Sequence, residues 1–188
     1  MLAPVRIAAP DDPVVSLAAV KRHLRVDFDD DNLVLEALRD AATDHLDGWG
    51  GILGRALVRQ TWRQDFGGFH ACEKLRLPLV PVMSVDSVKY YDGDNEQQDL
   101  ADSVWQILTD ALGPYLALKP DQTWPSTYSR ADAVSVTFVA GYGDGEDVPH
   151  ALQVAILTHT KMQYDPSTAE ALKPLYDALV GLYHRPKL

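Results

Sequence analysis

Apolar and polar positions along this chain follow a helical period, then a strand period, then a helical period again. In "SLAAVKRHLRV", Leu17, Val20 and Leu24 fall on one face of a short helix that Ser16 can cap. "DFDDDNLVLEALRDAATDHLDGW" continues at helical spacing, with Val34, Leu38, Ala41, His45 and Trp49 on one stripe and Gly48 or Gly50 as the stop. The two segments predict a helical hairpin.

After Gly54 the period falls to two. In "RALVRQTWRQDF", Ala56, Val58, Trp62 and Phe66 alternate with Arg55, Arg59, Arg63 and Asp65, the pattern of a half-buried strand. "KLRLPLVPVMSVDSVKYYDGDNEQQDL" adds strands, with Pro78 and Pro81 confining part of it to an edge or bend and "DGDN" forming a hairpin turn. "SVWQIL", "PYLAL" and "AVSVTFVAG" extend the set to six or seven strands.

Helical spacing returns at Val148. Asp147 is a candidate cap, Pro149 suits a first turn, and Leu152, Ala155, Ile156, His159 and Met162 make the apolar stripe. A last helix is expected to begin at Pro174, because a proline would kink one already running from Ser167, and to carry Leu175, Leu179 and Leu182 on one face. The fold class read from this pattern is α+β. A helical core, made of an N-terminal helix pair and C-terminal helices, is interrupted by an inserted small antiparallel β domain. The expected segments are 1–54, 55–140 and 141–188, the last completing the helical core.

Composition fits this picture. The chain has 188 residues, 46% of them apolar, with 12 Gly and 12 Pro, which is ordinary for a globular protein. Cys72, the single cysteine, has no partner for an internal disulfide, so a reducing compartment is the natural expectation. No apolar run approaches the roughly 20 residues of a membrane span, and the start of the chain lacks a signal-peptide pattern. A cytoplasmic protein with no membrane partner is expected. The net charge of −10 argues against a grip on nucleic acid. Arg55, Arg59 and Arg63 are the local exception, read as the solvated face of a strand in preference to a phosphate-binding stripe.

The stretch "AGYGDGEDVPH" is the first candidate for chemistry, since strand, glycine loop and helix is how phosphate sites are built. Gly141, Gly143 and Gly145 are not followed by the Lys and Ser or Thr of a P-loop, and they do not match G-x-G-x-x-G. Asp144, Glu146 and Asp147 would repel a phosphate there. The loop is therefore read as a tight joint. "DFDDDN" resembles a calcium loop from Asp27, yet Asn32 stands where glycine is required and Leu38 where the bidentate Glu belongs. The histidines at 23, 45, 70, 150, 159 and 184 form no zinc spacing, and His45 and His159 are read as packed or edge residues. Cys72 and His70 are two residues apart, which does not by itself make an activated nucleophile. No catalytic residue, cofactor or metal is expected.

Four strings in order, "SLAAVKRHLRVDFDDDN", "GRALVRQTWRQDF", "RLPLVPVMSVDSVKYYD" and "AVSVTFVAGYGDGEDVPHALQVAIL", resemble the head-tail connector, or adaptor, proteins of bacteriophages, prophages and gene transfer agents. The resemblance covers nearly the whole chain and rests on the combination. It implies a virion structural protein without enzymatic activity, located at the particle neck after assembly in the bacterial cytoplasm. It also implies a ring of identical subunits, usually twelve, between the portal protein and a tail-proximal connector or stopper protein, with DNA passing through and no sequence-specific binding. In this family the C-terminal end reaches into the portal, so Leu182, Tyr183, His184 and Arg185 become the expected portal-binding residues. The stretch "DGWGGILGR" departs from the pattern, being longer and richer in glycine than the expected helix end. Trp49, Trp105, Trp124 and Tyr183 are aromatics of the kind found at interfaces. The alternative reading is a small-ligand or carbohydrate-binding β module using Trp124 and Tyr128 for stacking, and a third is a hydrolase using Cys72 or His70.

Overall fold

The computed structural model describes residues 2–69 and 74–184, so His70 and Cys72 lie outside the described residues. The elements run β1 Val5–Ala8, α1 Leu17–Leu24, α2 Asn32–Leu46, β2 Gln60–Phe66, β3 Leu75–Arg76, β4 Val82–Tyr91, β5 Gln97–Asp99, β6 Trp105–Asp110, β7 Gly113–Leu118, β8 Val134–Ala140, α3 His150–Tyr164 and α4 Ala169–Gly181. The fold is α+β. It divides into two compact units, residues 1–9 with 60–141 and residues 10–59 with 142–188.

The first unit is β-rich. Its five-stranded antiparallel sheet has the order β1-β2-β8-β4-β5, and a second sheet has the order β3-β7-β6. β8 occupies the centre because it alternates without a break: Val134, Val136, Phe138 and Ala140 are buried, and the residues between them are half-buried. Trp62 of β2 and Val85 of β4 flank Phe138 on either side. The expected "DGDN" turn joins β4 to β5, where the Asp92 carboxylate accepts from the Asp94 and Glu96 N–H groups at 3.0 Å each and Asn95 takes φ +62°. In the smaller sheet Arg76 grips Asp110 through two bonds of 2.9 and 2.8 Å, and Lys74 adds a third at 2.7 Å. Arg76 first, then Lys74, hold the Asp110 carboxyl well below the usual carboxylate range.

The second unit is helical, with α3 packed against α1, α2 and α4. Its core joins Val20 of α1, Leu35, Ala42 and Leu46 of α2, Leu152, Ala155 and Ile156 of α3, and Tyr176 and Val180 of α4. Ser16 caps α1 as expected, accepting from the Ala19 N–H at 3.2 Å. "DGWGGILGR" is a tight return. Gly48 and Gly54 take φ of +71° and +62°, and Asp47 pairs with Arg55. The buried Asp47 carboxylate accepts from the Leu57 N–H at 2.6 Å, so a backbone group with no ladder partner is satisfied by a side chain.

Several expectations are corrected. The strand expected from Arg55 starts at Gln60, since the preceding backbone is engaged elsewhere: Arg59 N–H donates to Gly143 C=O at 2.7 Å, and Leu57 C=O accepts from Tyr142 at 2.8 Å. α4 starts at Ala169 and carries Pro174 inside it, where the missing donor costs the helix one bond near its first turns. On α2 the buried row is Leu35, Ala42 and Leu46, while Val34, Ala41 and His45 are exposed. On α4 it is Tyr176 and Val180, while Leu175 and Leu182 are exposed. In both helices the period is right and the phase is one residue early, a rotation of about 100°. Trp105, expected at an interface, is buried. β1 was not expected at all, because its four residues "VRIA" are all exposed and sit at a sheet edge.

Candidate functional site

The glycine joint after β8 is built for close approach. Gly141 and Gly143 take φ of +135° and +138°, and a Cβ on Gly143 would run into the Asp147 carboxylate. That carboxylate accepts from the Asp144 N–H at 2.9 Å and so closes the loop on itself; it does not cap α3, whose first helical residue follows Pro149. A Cβ on Gly145 would meet the Pro13 carbonyl oxygen at 2.8 Å. The loop is thus packed against the chain leading into α1, and between them lies an acidic groove of about 520 Å³ lined by Asp12, Val15, Ser16, Asp144, Glu146 and Gln153. Such a lining repels phosphate. Among the described residues no cluster of three His, Cys, Asp or Glu could hold a metal ion.

The C-terminal end of α4 carries the residues expected to meet a portal. Leu182 is 85% exposed and His184 is exposed, whereas Tyr183 is half-buried against the helical core. Arg55 fixes that end. Its Nε donates to the Tyr183 carbonyl at 2.8 Å, its guanidinium lies 6.0 Å from the Tyr183 ring centre, and its Nη1 reaches the Tyr142 hydroxyl at 3.3 Å. Burial raises the Tyr142 hydroxyl pKa, and Arg55 partly offsets that rise. Arg185 lies outside the described residues. The arginines of "RALVRQTWR" therefore do three separate jobs: Arg55 anchors the end of α4, Arg59 lies 3.9 Å from Asp144, and Arg63 pairs with Asp65 at 3.1 Å.

Two helices also present apolar rows to solvent. On α4 Ala171, Leu175, Ala178 and Leu182 point outward, and on α2 Leu33 (81% exposed), Val34, Ala37 and Ala41 do the same. Sequence reasoning assigned part of each row to the core, which is why it missed them as surface. Both helices are apolar on more than half of their circumference, and only packing selects the side that is buried.

In the aromatic platform of the β-module reading, one ring face is covered. Trp124 stacks on Phe69 with centroids 4.6 Å apart and planes 4° from parallel, and Tyr90 meets Phe69 edge-on at 5.7 Å. A sugar would need a free ring face, and one face of Trp124 is already covered. Tyr128 is exposed and held by its N–H to the Tyr91 carbonyl at 2.9 Å.

Within the helical unit three rings from three helices converge. His159 of α3 lies 5.0 Å from His45 of α2 and 5.1 Å from Tyr176 of α4, centre to centre. Burial, and then His45, lower the His159 pKa; burial, and then Asp177, push the Tyr176 hydroxyl up to about 12.

No protein-family model matches the sequence, and no curated protein is significantly similar to it. Solved structures are similar in fold. A chain of the virion of a native gene transfer agent particle superposes with a TM-score of 0.79 at 18% identity, covering 100% of this chain and 97% of that one. A chain from the neck of an empty particle, computed with C6 symmetry, gives 0.78 at 17%, and one from the neck of a native particle, computed with C12 symmetry, gives 0.73 at 17%, with the same coverage. Over its whole length, this chain has the fold of chains that build the neck of a gene transfer agent particle.

Proposed function

We propose that this protein is a structural head-tail connector of a phage, prophage or gene transfer agent. It forms a ring, most naturally of twelve copies, between the portal and the tail-proximal connector, and DNA passes through it. The observation that carries this reading is the match of the whole chain, both units in their interleaved order, to neck chains of gene transfer agent particles with almost no residue of either chain left over. The role is mechanical. Heterologous contacts between identical subunits close into a ring, and the outward apolar rows of α2 and α4 supply two distinct surfaces for such contacts. The end of α4, with Leu182, Tyr183, His184 and Arg185, supplies the docking element for the portal. Tyr and Arg are frequent interface anchors, and Arg55 holds the backbone at Tyr183.

The test is disruption of the gene in the producing strain, followed by electron microscopy of the particles. Filled heads without tails, restored by the intact gene, are expected. Normal tailed particles would reject the reading. Deleting residues 183–188 should leave a folded protein that no longer joins heads to tails, and full assembly by that variant would move the portal contact elsewhere.

A further inference from the structure

Three helices meet at the rings of His45, His159 and Tyr176. His159 of α3 lies 5.0 Å from His45 of α2 and 5.1 Å from Tyr176 of α4, and its Nδ1 is buried with no hydrogen-bond partner among the described residues. The Tyr176 hydroxyl is buried and unpartnered in the same way, and Tyr176 is only 7% exposed. A neutral imidazole tolerates this setting, since one of its nitrogens carries no proton. An imidazolium does not, because both of its nitrogens are donors and one of them is the buried Nδ1. A charged donor buried without an acceptor is among the costlier arrangements in a core.

We propose that this cluster is a proton-operated release for α4: when His159 takes up a proton, the rings separate and α4 leaves the helical core. α4 is the helix that yields because it gives the core two buried side chains, Tyr176 and Val180, and one of them belongs to the cluster. α2 gives three, Leu35, Ala42 and Leu46, and α3 gives five. The charges around His159 do not offset the proton. From α2 the facing group is His45, which opposes a second positive charge. From α4 they are Tyr176 and, next to it, Asp177, whose carboxylate is bound by Lys173 at 2.5 Å. From α1, Lys21 is bound to Asp29 at 2.6 Å, and His23 faces Lys161 of α3 itself. The turn at Pro166–Thr168, which also packs on α3, has no ionisable side chain. No carboxylate reaches His159 Nδ1 among the described residues. Burial, and then His45, accordingly set the His159 pKa below its ordinary 6.5. The unfolded chain then binds the proton more readily than the folded one. The contribution of the cluster is therefore intact above about pH 6.5 and is lost as pH falls through the lower folded value. Ordinary carboxylates titrate near ~4, below this window.

Hydrogen exchange of the full chain, corrected for the intrinsic pH dependence of exchange, reads the release directly. Between about pH 7.5 and about pH 5.5 the amides of α4 should lose about tenfold in protection, since a pH about one unit below the ordinary histidine value favours the open form by up to that factor. The amides of β8, in the other unit, should keep theirs. Proton NMR of the same protein should place the midpoint of the His159 ring below 6.5. His159→Phe keeps a ring in the cluster and removes the proton, so α4 protection in that variant should not change across the range. Unchanged α4 protection in the unaltered chain would overturn the proposal, as would a His159 midpoint at or above 6.5. A loss of protection that persists in His159→Phe would overturn it too, because another group would then be the trigger. The NMR midpoint needs no variant, so it decides the matter even if His159→Phe fails to fold. None of these outcomes bears on the connector role, which is read from particle assembly.

Discussion

Single residues in this protein show how far side chains stand in for missing backbone partners. Asp47 is the clearest case, since its buried carboxylate receives the Leu57 N–H where no strand does so. Asp47→Ala should leave that N–H unsatisfied and cost about 1 to 3 kcal/mol, read as a lower denaturant midpoint with an unchanged slope. Asp110 governs a different variable. Its carboxyl lies well below the ordinary value of 3.8 because Arg76 and Lys74 bind the charged form, so its contribution is present above that value and is lost as pH falls toward the folded one. Asp110→Asn should therefore flatten the acid limb of the stability curve below about pH 4, and a limb of unchanged slope would count against this. Gly143 sets a third constraint. Gly143→Ala should destabilise the joint, because the new methyl meets Asp147 at a φ of +138°.

At the scale of elements, period was legible and phase was not. α2 holds Leu33, Val34 and Leu35 in succession, and α4 holds Leu175 beside Tyr176 and Leu179 beside Val180. A helical wheel cannot choose between adjacent apolar positions, and α3, which packs on both helices, makes the choice. The resulting assignment predicts a contrast. Leu35→Ala should cost about 2 to 5 kcal/mol as a core truncation, whereas Val34→Ser should stay within about 0.5 kcal/mol. Equal costs in thermal melts would mean that the face is misassigned. Strands with clean alternation, such as β8, were read correctly from sequence, and the all-exposed β1 was invisible because an edge strand need not alternate in burial. The candidate site followed the same rule. The C-terminal aromatic and basic end could be read from residue types, but Arg55 as its anchor required the fold, being 128 positions away from Tyr183.

For the whole molecule, charge sets an expectation of its own. A net charge of −10 gives no electrostatic affinity for a DNA backbone, so the isolated chain should leave duplex DNA unshifted in a gel at physiological salt. Tight, salt-sensitive binding would count against the proposed ring through which DNA passes. The interleaving of the two units has a further consequence during synthesis. β1 is synthesised well before its partner β2, which begins at Gln60, and before the central strand β8, which begins at Val134. Likewise α1 and α2 emerge long before α3, on which both of them pack. Neither unit can complete its core until β8 and α3 have been translated. A ribosome stalled before β8 should hold a nascent chain that a protease digests throughout, and one released after α4 should hold a resistant chain.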